Sequence, residues 1–344
     1  MNTAERLARY CVFDEAVIDA VSAAALHQNS QSFQALADEQ GIGAGPQRVH
    51  PYADAQNIEL FHIKPKTEYD ASLLRVYQAP YGVAANKSVA MCALRLFASE
   101  PTTQVMVIGS PSALGNSANL LPYRDLSTIR GGDLRQAVRP ALFYMQHLGI
   151  TKAEVLGYSY GGDAGAAMVA AAPDYGIAVN DAVLVESAGV TKRFLPSLIK
   201  DFLTSGKHLN AYIASTDCKP LFEARNSNVS RVEKTESLLR WAGGLLRPSN
   251  RAIMRGISQG TFSDRLDSAL SQQPELRTTL IWGSESEIVG TTAARAMVTT
   301  LSGNHPGRVV GLEIKGMHHA GGDDIDLHAA MTLQGLNRVK LAQV

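Results

Sequence analysis

Cysteine is scarce. The chain of 344 residues has three, Cys11, Cys92 and Cys218. They are too few and too scattered for a disulfide framework or a zinc knuckle. They read as free thiols of a reducing compartment, and the cytoplasm is the expected location. Net charge is missing too: 32 Lys and Arg balance 32 Asp and Glu. A chain so balanced is not expected to hold nucleic acid by bulk phosphate neutralisation. No window approaches the roughly 18 apolar residues of a membrane span, so no membrane partner is expected. In the first twenty residues Asp14, Glu15 and Asp19 interrupt any apolar stretch of the kind a secretory leader carries. There is no internal repeat, low-complexity tract, nucleotide loop or cluster at metal-ligand spacing. Neither metal nor cofactor is therefore expected.

What is present is ordinary globular material, 45% apolar and 19% charged, with 29 glycines worth locating. The length allows one large α/β domain with insertions, or two to three domains. Phe13, Val17, Val21 and Ala25 recur every fourth position, so residues 1–40 read as helical. The glycine-bearing stretch 40–47 reads as a linker. From residue 57 the pattern changes. Short apolar runs at 57–64, 72–78, 104–108, 154–156, 182–185, 279–282 and 309–314 read as strands. Helical periodicity lies between them, at 87–100, 134–148, 163–172, 292–301 and 327–339. Strand and helix in alternation predict a parallel sheet covered on both faces. Residues 191–271 interrupt the alternation with helical patterns at 194–203 and 233–246. Such a block reads as a cap over the end of the sheet where ligands bind.

The sharpest local feature is Gly157-Tyr158-Ser159-Tyr160-Gly161-Gly162. It falls where a predicted strand gives way to a helix. A serine on so tight a turn is pushed out of the sheet, and its neighbours must lack side chains for the strand and helix to approach. The helix N-terminus then supplies N–H groups and the positive end of a dipole, both suited to a developing oxyanion.

Several segments together resemble the α/β-hydrolase superfamily, in its cap-bearing serine hydrolase branch. They are this motif, Val107-Ile108-Gly109-Ser110-Pro111 through Gly115-Asn116-Ser117, Leu148-Gly149-Ile150, Leu280-Ile281-Trp282-Gly283 and Gly316-Met317-His318-His319. The resemblance covers about residues 56–344. It implies the α/β-hydrolase fold, a mostly parallel central sheet with helices on both faces. The core would comprise 56–190 and 272–344, with a helical cap at 191–271 and an N-terminal helical extension at 1–55. It makes Ser159 the nucleophile. The base would follow the last strand: His319 matches the family position by its spacing from Gly316, with His318 the alternative. The usual acid position falls on Ser286. A variant that places the acid one strand earlier fits Glu186, and Glu287 is the alternative. The oxyanion donors would be the N–H of Tyr160 and that of Tyr81. Ala79 comes next, because Pro80 has no N–H.

The implied activity is hydrolysis of a carboxylic ester, thioester, amide or C–C bond in a small to medium substrate, through an acyl-enzyme on Ser159. The alternative is a catalytically inactive relative that binds or scaffolds. Perhydrolase or acyltransferase chemistry would use the same residues. A small-molecule partner is expected, and a homo-oligomer is left open.

Overall fold

The structure is a computed structural model describing residues 2–43, 46–49, 58–83, 85, 87–111, 121–215 and 247–341. The seven apolar runs and one further short strand form one eight-stranded sheet: β1 (Gln47–Val49), β2 (Ile58–Ile63), β3 (Leu73–Gln78), β4 (Gln104–Ile108), β5 (Lys152–Tyr158), β6 (Ala178–Val185), β7 (Arg277–Gly283) and β8 (Val309–Ile314). Their spatial order is β1-β2-β4-β3-β5-β6-β7-β8. All neighbours from β4 to β8 are parallel; β1 on β2 and β2 on β4 are antiparallel. The continuous apolar character of the central strands follows from burial on both faces; β4, for example, is buried throughout.

Helices cover each face. On one side, Arg135–His147, Tyr160–Ala171, Phe262–Gln272 and Thr291–Asn304 share a core with Val76, Val155 and Leu184. On the other, Lys87–Ser99 and Ile325–Leu341 share a core with Phe61, Val107 and Val183. No helix among the described residues is long and apolar enough to cross a membrane.

The N-terminal segment forms the helices Thr3–Ala8, Glu15–Asn29 and Phe33–Gln40. Leu7, Val17, Val21 and Leu36 join the second core, so these helices form a layer outside Lys87–Ser99 and Ile325–Leu341. Buried Arg6 pairs with Asp324 and Asp326 of the C-terminal segment. The segment is not purely helical: β1 lies inside residues 1–55 and starts where the linker was expected to end. Three residues are too short to show alternation, and their pairing is dictated by the open edge of β2.

The helix that follows the tight turn at Ser159, the elbow helix, starts at Tyr160, three residues earlier than its periodicity suggests. Gly161 and Gly162 are poor helix formers on their own, and the packing of the turn overrides that preference.

In the interrupting block the described helices are Leu195–Ser215, Pro248–Ser258 and Phe262–Gln272. The helix expected at 233–246, Cys218, and the loop at Gly115-Asn116-Ser117 lie outside the described residues. Leu195–Ser215 sits over the turn carrying His319. Phe262–Gln272, assigned from sequence to the cap, instead packs on the elbow helix, with Phe262, Leu266 and Leu270 fully buried. Its apolar stripe reads the same whether it faces a cap or a core.

Candidate active site

Strand register brings the first two groups together. In the parallel pair β5–β6, Tyr158 is opposite Val185, so Ser159 and Glu186 each follow the end of a paired strand. The Ser159 N–H donates to the Val185 carbonyl at 2.9 Å, and the Glu186 N–H to the Ile281 carbonyl at 2.8 Å. Both residues leave the sheet with positive φ, 58° at Ser159 and 52° at Glu186. That backbone is strained for a residue with a side chain, and surrounding structure must hold it. The glycines do so by close approach. A Cβ on Gly157 would lie 2.1 Å from the Gly161 carbonyl oxygen, and one on Gly161 would lie 2.0 Å from that of Gln78.

The third group arrives from the far edge, after β8. His319 begins a short 3₁₀ turn, His319–Asp323. Its Nε2 is 3.1 Å from Ser159 Oγ, and its Nδ1 is 2.8 Å from Glu186 Oε2. Glu186 is fully buried. It accepts a second hydrogen bond at Oε2 from Ser286 Oγ and one at Oε1 from the Gly283 N–H, each at 2.5 Å. Ser286, where the resemblance would place the acid, thus donates to Glu186 instead. Behind the imidazole, the Tyr158 ring stacks at 5.4 Å, and its hydroxyl donates to the His319 carbonyl at 2.9 Å. Ser159 is 3% exposed and His319 4%. Phe202 of helix Leu195–Ser215 lies edge-on over His319 at 6.3 Å and beside Tyr81 at 6.4 Å.

The alternatives separate from this chain of hydrogen bonds. The half-exposed His318 turns its Nδ1 to the Glu285 carbonyl at 3.1 Å. Adjacent residues of a turn project in different directions, and only one of the two histidines reaches Ser159. Glu287 meets His208 at 3.1 Å. Ala79 is not free to bind an oxyanion, because its N–H donates to the Ile108 carbonyl at 3.0 Å. The Tyr81 N–H donates to nothing among the described residues. Tyr160 is the first residue of its helix, where the N–H has no intrahelical acceptor. Tyr81 follows β3, whose Gln78 is opposite Gly157 of β5, so its loop lies beside the elbow.

Sequence reading missed three supports. Asp163, fully buried in the first turn of the elbow helix, accepts from the Gly189 N–H at 2.8 Å and from Arg265 at 3.0 Å. Burial raises its carboxyl to about 6, against the pull of Arg265. Asp323 is fully buried near Tyr158, and burial holds its carboxyl well above the usual range. His328 is enclosed by Tyr77 and Tyr158, and burial lowers it to about 4. For Asp163 and His328 the available signal was an acid or a histidine on a mostly apolar helix face. The fold brings His208, Glu287 and His318 together, with donor atoms within 4.8 Å of one another.

The sequence matches no protein-family model and no curated protein. Its fold matches solved structures over nearly the whole chain. One is the carboxylesterase CesB from Bacillus subtilis, with TM-score 0.51 and 13% identity, covering 89% of this chain and 96% of that one. Another is carboxyl esterase 2 of the fungus Tuber melanosporum, with TM-score 0.51 and 14% identity, covering 87% and 86%. A third is 2-hydroxy-6-oxo-6-phenylhexa-2,4-dienoate hydrolase from a Rhodococcus strain, with TM-score 0.51 and 15% identity, covering 85% and 98%. The chain has the α/β-hydrolase fold.

Proposed function

We propose that the chain is a serine hydrolase acting on a carboxylic ester of a small to medium substrate, or on a thioester, amide or C–C bond. The observation that carries this reading is the unbroken chain from Ser159 Oγ through both nitrogens of His319 to buried Glu186. Glu186 can only accept at His319 Nδ1, so the proton sits there and the Nε2 lone pair faces Ser159. As Ser159 attacks a carbonyl carbon, His319 takes the hydroxyl proton. The N–H groups of Tyr160 and Tyr81 stabilise the oxyanion. His319 returns the proton to the leaving group, and water then releases the acyl group by the same steps in reverse roles. The low exposure of the pair keeps stray water from the reacting atoms. Helix Leu195–Ser215, which covers the site, acts as its cap. The esterases and hydrolase of similar fold support hydrolysis as the reaction class and leave the substrate open.

The test pairs a fluorophosphonate probe with a panel of nitrophenyl esters of increasing acyl length. Stoichiometric labelling of wild type, lost in Ser159→Ala, and turnover of at least one ester are the expected results. Absence of labelling and turnover, or equal labelling of Ser159→Ala, overturns the proposal. A second reading, an inactive binding relative, is favoured by the near-complete closure over Ser159, and it predicts that negative outcome.

A further inference from the structure

Glu287 and His318 stand next to the proposed triad and take no part in it. They instead meet His208, which the insertion carries in helix Leu195–Ser215. Three segments far apart in sequence thus point one donor each at a common point. The His208 Nδ1 to Glu287 Oε1 distance is 3.1 Å. In a tetrahedral zinc site with bonds of about 2.0–2.1 Å, neighbouring ligand atoms are roughly 3.3 Å apart, so that edge already has the right length. Glu287 Oε2 is buried and accepts no hydrogen bond among the described residues; the His318 ring approaches it with Nδ1 at 3.9 Å. Arg193 donates to the Glu287 backbone carbonyl at 3.0 Å, which leaves the carboxylate available. His318 Nδ1 faces the Glu285 carbonyl at 3.1 Å and therefore carries the proton. The Nε2 lone pair is then free, in the arrangement where a carbonyl orients a ligating imidazole. The two imidazole rings lie 4.4 Å apart, tilted towards each other beside the same carboxylate.

We propose that His208, Glu287 and His318 form a binding site for a borderline divalent transition metal of the Zn²⁺ class, which clasps the insertion helix to the loops beside His319. Two imidazoles and a carboxylate suit Zn²⁺, Co²⁺ or Ni²⁺ rather than Mg²⁺ or Ca²⁺, with water completing the shell. Phe202 lies on the same helix, over His319. A metal at the clasp holds that helix down and slows passage of substrate and product. This second consequence rests on the hydrolase reading; the metal site does not.

The experiment titrates the full-length, chelator-treated protein with Co²⁺, following the visible absorption of a tetrahedral complex, and then displaces it with Zn²⁺. One equivalent per chain is expected, with His208→Ala and Glu287→Gln each weakening binding by at least tenfold, on the order of 100-fold. Ser159→Ala should bind as wild type does, because the two sites share no residue. Absence of a Co²⁺ band with no stoichiometric Zn²⁺ uptake overturns the site. So does unchanged binding in both variants, each first shown by circular dichroism to be folded. Zn²⁺ should slow ester turnover by wild type and leave His208→Ala unaffected. Binding without slowing removes the clasp's effect on turnover and leaves the site. Failure of all ester turnover refutes the hydrolase reading, and the titration still decides the metal site.

Discussion

Replacing Glu186 by glutamine isolates what a buried carboxylate does for His319. Glu186 presents two accepting oxygens: Oε1 to the Gly283 N–H, and Oε2 to Ser286 Oγ and His319 Nδ1. Glutamine offers one oxygen and one NH₂. The Gly283 N–H belongs to the main chain and cannot turn, so the amide oxygen must stay on its side. The NH₂ then faces Ser286, whose hydroxyl can rotate to accept, and His319 Nδ1, which must become an acceptor. Its proton moves to Nε2, which points at Ser159. An imidazole in that tautomer cannot take the serine proton. The opposite amide rotamer would oppose two donors at Gly283, a buried mismatch costing about 1–3 kcal/mol. Loss of the correct tautomer in an otherwise intact serine triad lowers kcat about 10⁴-fold, which is about 5 kcal/mol of transition-state stabilisation. The assay is kcat/KM on the best nitrophenyl ester, with thermal denaturation to show that the fold survives. A folded Glu186→Gln within tenfold of wild type would refute the tautomer argument. In chelator-treated, metal-free protein Glu287→Gln should change kcat/KM by no more than about threefold, as expected for a substitution outside the hydrogen-bond chain.

Four further outcomes are expected. Ser286→Ala removes one donor to a buried carboxylate, worth about 1.5–3 kcal/mol; kcat should fall roughly 10- to 100-fold with KM little changed, in steady-state kinetics. Arg6→Ala leaves Asp324 and Asp326 short of a buried partner, and chemical denaturation should show a loss of about 3–5 kcal/mol. Gly157→Ala drives a Cβ into the Gly161 backbone; expression in soluble form or the melting temperature should collapse, and a wild-type melting curve would contradict the elbow packing. His328 is lowered to about 4 by burial, so between about pH 4 and 6.5 the folded chain keeps it neutral while the unfolded chain protonates it. Its contribution to stability is complete above the unfolded value of about 6.5 and is lost as pH falls towards 4. The stability difference between wild type and His328→Phe should therefore grow by about 3 kcal/mol from pH 4 to pH 7; a flat difference would show that the ring is not held neutral. Using the difference removes the opposite trend contributed by Asp323, whose folded carboxyl is raised.

Local sequence carried the strands, because a strand buried on both faces must be a short apolar run wherever it sits in the sheet. It also carried Ser159, because the turn that exposes a serine needs glycines within a few residues of it. Gly157, Gly161 and Gly162 write that requirement into six consecutive positions. Boundaries were less legible. The elbow helix begins among glycines that disfavour helix, and β1 is too short to show a period.

The choice of partners for Ser159 belonged to tertiary structure. Nothing in the residue types separates His318 from its neighbour His319, or Glu186 from Glu287 one strand later; each pair offers the same chemistry. Spacing and chain order narrowed them, and the path of the chain decided. The register of β5 on β6 sets Glu186 beside Ser159, and the turn after β8 aims His319 between them while sending His318 outward. The same folding event joined His318 and Glu287, the two rejected candidates, to His208, more than seventy residues away in sequence. A tight turn is a local steric demand and leaves its mark on neighbouring residues. A hydrogen bond between distant strands requires only that two groups arrive at one point, and that meeting is a property of the folded chain.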